Sequence, residues 1–198
     1  TTISVNVAPI TLLDDRFAPW LREELALRGL PPRTLKLEMT EHAIIALGTE
    51  MVAAIHTLSA MGVVVWMDDF GAGYSSLGML ADLPIAGIKC DRLFVRKLPQ
   101  DSRRQMLLRH ISALAGEFGL SVVVEGVETV EELQTLAAIG LHCIQGYVFS
   151  KPIPAAHEPD WHHTHMQPQR AALQALLRPA GSTPFSALPP AIAPAPGL

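Results

Sequence analysis

Two adjacent carboxylates, Asp68 and Asp69, close a short apolar run, and five other apolar runs end just as abruptly, at Asn6, Glu38, Lys89, Glu125 and Gln145. Four of these seven polar residues are carboxylates. Carboxylates gathered on one rim repel and raise one another's pKa unless a cation sits among them. Every candidate ligand is an oxygen donor, with no His or Cys, which suits Mg2+ or Mn2+ better than Zn2+. The adjacency lets Asp68 bridge two ions while Asp69 serves one. Two ions held a few ångströms apart bind a phosphate, make hydroxide from water and stabilise developing charge, as phosphoester hydrolysis requires. Lys89 among the acids would then serve the phosphate or the water. A single polar strand end is usually a cap or a salt-bridge partner; seven of them point to a site. After the pair runs Asp68-Asp69-Phe70-Gly71-Ala72-Gly73-Tyr74-Ser75-Ser76-Leu77. Gly71 and Gly73 permit a tight turn, and Ser75 or Ser76 can cap the next helix.

Such residues need parallel strands to carry them. Short, β-branched runs predict strands at 3–7, 35–38, 63–68, 86–89, 121–125 and 142–145. Helical patterns fall between them, at about 16–28, 49–61, 76–83, 101–118 and 129–140, with Asp101 and Thr129 as caps. Strands separated by helices imply parallel βαβ units. Polar ends on every strand are the layout of a (β/α)8 barrel, whose active site lies on that rim. The fold class read from the sequence is therefore α/β, a TIM-type barrel over residues 1–154. With six strands it is two short, and the missing pair would precede Thr1. The competing architecture is an open, doubly wound sheet. Against it, no Gly-rich phosphate fingerprint follows the first strand.

Composition bounds the rest. The chain has 198 residues, 49% hydrophobic and 17% charged, so a buried core is affordable and wholesale disorder is excluded. Its formal net charge of -4 argues against binding DNA or RNA polymers. Cys90 and Cys143 lie in apolar runs and read as reduced thiols of a cytoplasmic protein. No window reads as a membrane span, and no signal peptide precedes the first strand. A first residue of Thr reads as a fragment of a longer protein. Ten of the 16 prolines lie from Pro152 onward, and the last stretch from Gly181 carries no charge. Residues 155–198 are accordingly expected to be a largely disordered tail, with a short helix near 170–177. The His162-His163-Thr164-His165 cluster beside Asp160 falls in that tail and reads as solvated.

The motifs together resemble the EAL domain, a family of bacterial cyclic di-GMP phosphodiesterases. The resemblance rests on Ser4-Val5-Asn6-Val7, Leu37-Glu38-Met39-Thr40-Glu41, Asp68 to Ser76, Lys89-Cys90-Asp91-Arg92, Glu125-Gly126-Val127-Glu128-Thr129 and Gln145 to Pro152. It implies two Mg2+ or Mn2+ ions. Asn6, Glu38 and Asp68 match ligands of the first, Asp68 and Asp69 ligands of the second. Glu125 matches the general base or water-holding acid, and Lys89 the lysine at the nucleophilic water and phosphate. Gln145 matches a supporting residue near the second ion, and Glu41 and Glu128 match acids behind the ligands, Glu41 bracing the loop. The loop residues Phe70, Gly71, Gly73, Tyr74, Ser75 and Ser76 match a segment near a homodimer interface that couples dimerisation to metal binding. Implied partners are cyclic di-GMP, a second copy of the chain and upstream GGDEF or sensory domains. The Glu of the family's Glu-Ala-Leu motif, another ligand of the first metal, has no counterpart here, so the chain alone is expected to be weak or inactive.

The leading reading is metal-dependent hydrolysis of cyclic di-GMP to linear pGpG. A second is a non-catalytic EAL module that binds cyclic di-GMP or a protein. A third is a metal-free barrel with Lys89 as a Schiff-base lysine, for which the Asp68-Asp69 pair has no use.

Overall fold

The computed structural model describes residues 2–72 and 77–157 of the chain. The chain divides into two units, 1–155 and 156–198, and the first contains every strand and α-helix named here. The expected 170–177 helix and the His162–His165 cluster lie outside the described residues. Five strands, β1 (Ile3–Asn6), β2 (Leu35–Thr40), β3 (Val64–Phe70), β4 (Gly87–Cys90) and β5 (Ser121–Val124), form one parallel sheet in the order β1-β2-β3-β4-β5. Between them run α1 (Pro9–Leu12), α2 (Phe17–Leu27), α3 (Glu41–Ala60), α4 (Leu77–Asp82) and α5 (Ser102–Glu117); α6 (Val130–Ala138) follows β5. A sheet that always adds its next strand on the same side is the wall of a (β/α)8 barrel. A doubly wound sheet reverses at a switch point instead. The strand order thus decides between the two architectures, in favour of the barrel type.

The two faces of this wall are chemically different. Side chains alternate along a strand, so residues paired in register share a face. One face carries Leu37, Met39, Val65, Met67, Ile88, Cys90 and Val124, each 2% exposed or less. They pack beneath the helices, and each fully buried side chain of this size contributes about 1.5–3 kcal/mol. The other face carries Asn6, Glu38, Trp66, Gly87 and Ser121 in one row. Asp68, Lys89 and Glu125 follow two to four residues further along their strands, toward the carboxyl ends.

Helix boundaries follow local chemistry. Asp101 caps α5 by accepting hydrogen bonds from the N–H groups of Arg103 and Arg104 at 3.0 and 3.1 Å. Thr129 and Glu132 form a capping box on α6. The helix expected at 49–61 is found, and a preceding helical segment from Glu41, which was not expected, joins it across a kink at Gly48, where φ is 49° and ψ is -127°. Thr40 supplies its cap, an N-terminal signal that the apolar periodicity alone concealed. By length and composition α3, with a mean hydropathy of 1.5, could cross a membrane, but it packs on β2 and β3 with Ile44, Met51 and Ile55 fully buried.

The sixth expected strand is a correction. Residues 142–145 make one isolated parallel bridge, Ile144 with Val124. The segment does track β5: the Val124 N–H donates to Cys143 O at 3.0 Å, the Gln145 N–H to Val124 O at 2.9 Å, and the Val148 N–H to Val127 O at 3.0 Å. Beyond Val124, however, the chain turns at Gly126, where φ is +69°, and a regular ladder cannot follow that turn.

Gly87 fixes the spacing of β3, β4 and β5. A Cβ there would lie 2.5 Å from the carbonyl oxygen of Ser121 and 2.7 Å from the Trp66 ring. The Lys36 ammonium sits 4.5 Å from the centroid of the same ring, a cation–π contact. Gly87→Ala should therefore cost about 1–3 kcal/mol through overpacking. The check is the urea midpoint; an unchanged midpoint would mean that the three strands are not held this closely.

Candidate active site

The site begins with an irregularity. Met67 pairs with Ile88, and Phe70 pairs with Cys90, so three steps along β3 answer two along β4. The extra residue is a bulge. Asp69 occupies it in the left-handed region, with φ of +53°, where side chains other than Gly, Asn and Asp are rare. In a regular strand Asp68 and Asp69 would point to opposite faces. Here carboxylate oxygens of Asp68, Asp69 and Glu125 all lie within 4.8 Å of one another. The Asp69 N–H donates to Asp68 Oδ1 at 3.0 Å, and the Ala72 N–H donates to Asp69 O at 3.1 Å, which closes the turn. Behind it, the buried Glu41 accepts a hydrogen bond from the Gly71 N–H at 2.9 Å. Gly73, Tyr74, Ser75 and Ser76 lie outside the described residues.

Lys89 stands at the centre. Its ammonium is 2.6 Å from Glu125, 2.7 Å from Glu38 and 3.3 Å from Asp68, with 7% of the side chain exposed. Burial alone would lower its pKa. The hydrogen bonds to Glu125 and Glu38 and the charges of Glu125 and Asp68 outweigh burial and hold Lys89 above its ordinary range. A Schiff-base lysine has to be neutral to attack a carbonyl, and three carboxylates within 3.3 Å of the ammonium favour its charged form, which argues against the third reading. Glu125 is pushed upward, first by burial; Lys89 opposes the shift, and the charges of Asp68 and Glu38 add to it. Asp69 is pushed upward by burial and then by the charges of Asp68 and Asp91, against Lys89. Burial next to Glu125 raises the Cys90 thiol to about 12, so it is inert packing.

Glu38, Asp68, Asp69 and Glu125 outnumber the one ammonium, which leaves an excess of three negative charges when all are ionised. One divalent cation among hard oxygen donors removes most of that excess, so these residues fit Mg2+ or Mn2+. Asp68, Asp69 and Glu125 are the group brought within common reach of one ion. Glu38 turns to Lys89 instead, and Asn6 pairs with Glu38 in register from the exposed strand β1. Glu128 and Gln145 are exposed on the segments after β5, where the backbone of Gln145 bonds to Val124 and Val127. The sequence reading treated Lys89 as a phosphate or water partner and did not anticipate that it binds three of the acids. It also missed the bulge at Asp69; the one local signal for it is a doubled Asp directly before Phe-Gly.

The EAL domain family model matches residues 1–152. The chain belongs to the EAL domain family. It is 37% identical over 159 residues to the cyclic di-GMP phosphodiesterase RocR of Pseudomonas aeruginosa, covering 80% of this chain and 41% of RocR. Among solved structures it is similar to the EAL domain of Mycobacterium smegmatis DcpA, with a TM-score of 0.75 and 35% identity over 83% of this chain and 74% of that one. It is also similar to Klebsiella pneumoniae BlrP1 in complex with manganese and cyclic di-GMP, with a TM-score of 0.72 and 32% identity over 76% of this chain and 39% of that one. The chain thus spans about two fifths of the length of RocR.

Two substitutions probe the acidic centre of this EAL domain. Lys89→Met leaves Glu38, Asp68 and Glu125 facing one another unpaired and should cost about 3–5 kcal/mol. Added Mn2+ should recover part of that loss. A melting temperature equal to that of the unsubstituted chain would show that Lys89 does not neutralise the cluster. Asp69→Gly relieves the left-handed backbone and removes one of the crowded charges, against glycine's larger unfolded-state entropy, and should change stability by less than about 1 kcal/mol while weakening Mn2+ binding. Calorimetric titration and thermal melts, run together, read both effects.

Proposed function

We propose that this EAL domain hydrolyses cyclic di-GMP to linear pGpG, with two Mg2+ or Mn2+ ions at the strand ends. The observation that carries the reading is the meeting of Asp68, Asp69 and Glu125 around the Lys89 ammonium. Asn6, Glu38 and Asp68 would hold one ion, and Asp68, Asp69 and Glu125 the other. When bound, divalent ions polarise the phosphodiester and make water acidic enough to attack near neutral pH.

The chain's own residues do the rest. Glu125, whose burial favours its protonated form, is suited to take a proton from the attacking water. Lys89 orients the Glu125 carboxylate at 2.6 Å and keeps it from losing its charge too readily. The water oxygen would form a bond to phosphorus as its proton passes to Glu125, the P–O3′ bond would break, and the departing 3′ oxygen would take up a proton, which opens the ring to a 5′-phosphorylated linear dinucleotide with a free 3′ hydroxyl. Gln145 and Glu128 support the rim, and Glu41 holds the start of the loop through the Gly71 N–H. The segment Phe70 to Ser76, beginning at that bond, would link the site to a homodimer interface. The domain would act in the cytoplasm, under GGDEF or sensory domains elsewhere in the protein.

The second reading, a module that binds cyclic di-GMP without cleaving it, keeps the same residues and differs in outcome. In the presence of Mg2+, release of pGpG should be abolished by Asp68→Asn. Glu125→Ala should lower kcat by about 10²-fold or more with a far smaller change in nucleotide affinity. Cyclic di-GMP binding without any pGpG release from the full-length protein would favour the binding module.

A further inference from the structure

The turn that follows β4, Arg92–Phe94, touches the loops after both acidic strand ends. Gly71 lies two residues beyond Asp69, with φ of +87°, and a Cβ on it would sit 2.3 Å from the Phe94 ring. Gly126 directly follows Glu125, with φ of +69°, and a Cβ on it would sit 2.3 Å from Arg92 Cβ. Each glycine therefore allows its loop to press on the same three-residue turn. The backbone adds two ties on the same strand: the Asp91 N–H donates to Phe70 O at 3.4 Å, and the Glu125 N–H donates to Cys90 O at 3.0 Å. The turn is itself fixed. Asp91 caps it by accepting the Leu93 N–H at 2.7 Å, and the Arg104 guanidinium, held by Asp101, donates to Leu93 O.

We propose that Phe94 and the stem of Arg92 are positioning residues for the metal and water ligands, Phe94 for the Asp68-Asp69 bulge and Arg92 for Glu125. This rests on the phosphodiesterase reading of the site. Asp69 sits in a backbone conformation that its own sequence does not favour, so neighbouring structure must hold it there. The Phe94 ring on Gly71 is a wall against which the turn after Asp69 closes, and the Glu41 hydrogen bond ties the same residue. Removing the ring lets the turn relax and moves the Asp69 carboxylate out of reach of Asp68 and Glu125. On the other side, the Arg92 stem limits the path of the chain after Glu125. Neither residue need touch a substrate to act in this way.

The test compares Phe94→Ala, Phe94→Leu and Leu108→Ala, the last a fully buried α5 residue outside the turn. Mn2+ binding is measured by calorimetry and stability by thermal melting, with kcat and KM for cyclic di-GMP alongside. Loss of a partner behind a ligand typically weakens metal binding by about 10–100-fold. Phe94→Ala should weaken Mn2+ within that range and lower kcat while KM stays within about threefold. Phe94→Leu, which keeps a bulky apolar wall, should restore most of the Mn2+ affinity. Leu108→Ala should lower the melting temperature and leave Mn2+ affinity intact. If Phe94→Ala changes only the melting temperature, or if Leu108→Ala weakens Mn2+ equally, the positioning role is overturned. If the unsubstituted chain binds no Mn2+, the reading of the whole site is overturned, and the positioning role with it.

Discussion

Like charges crowded at the carboxyl ends of parallel strands are the constraint on which the rest of this domain depends. Four carboxylates within a few strand spacings would unfold their own neighbourhood if nothing balanced them. Lys89 supplies one balance from inside the sheet, with bonds of 2.6 and 2.7 Å to Glu125 and Glu38. It cannot supply all of it, and the residual negative charge is what suits the cluster to a cation. The same arithmetic explains why burial raises the pKa of Glu125 and Asp69 while Lys89 is held in its charged form. Stability and chemistry thus draw on one set of interactions.

The remainder of the fold reads as support for holding that set still. The helix-facing side of the sheet is packed to near-zero exposure at Leu37, Met39, Val65, Met67, Ile88 and Cys90. A rigid wall of this kind lets one bulge place Asp69 beside Asp68 without the distortion spreading. Gly71 and Gly126 occupy positive φ where the loops press on the Arg92–Phe94 turn. A side chain at either position would meet both a steric clash and an unfavourable backbone. The glycines are therefore as much a part of the site's geometry as the acids they follow.

Much of this was legible in the residues. Short apolar runs ending in polar residues located all five strands, because a strand covered on both sides must be apolar along its length. The caps Asp101 and Thr129 were readable because a side-chain oxygen at that position answers otherwise unpaired N–H groups. What failed was whatever depended on backbone dihedrals or distant partners. Residues 142–145 have strand composition but run alongside a chain that turns at Gly126, a tertiary event with no local signature. The first turns of α3 were missed because Gly48 interrupts the apolar period. Among the site residues, the acids and Lys89 could be named from type and position. That Glu38 pairs with Lys89, leaving Asp68, Asp69 and Glu125 to converge, is set by register and by the bulge.

The position of each site residue in the sheet has a further consequence. Glu38, Asp68 and Lys89 come from β2, β3 and β4, each paired on both sides, and Glu125 follows β5, which has β4 on one side and the 143–148 segment on the other. Their mutual distances are set by ladders already complete within the described residues. Asn6 differs: β1 lies at the sheet edge, with Ile3 60% and Val5 44% exposed. An edge strand with exposed apolar side chains and open backbone groups invites pairing by another strand. Whatever pairs there would stand next to Asn6 and, through Asn6, one strand from Glu38. The ion pairs around Lys89 do not need that neighbour, since their geometry is fixed by β2 to β5. A cation beside Asn6 would need it, because Asn6 offers one neutral oxygen from an exposed edge. The acidic centre is therefore preformed by the inner strands, and a strand added at the edge would meet Asn6 first.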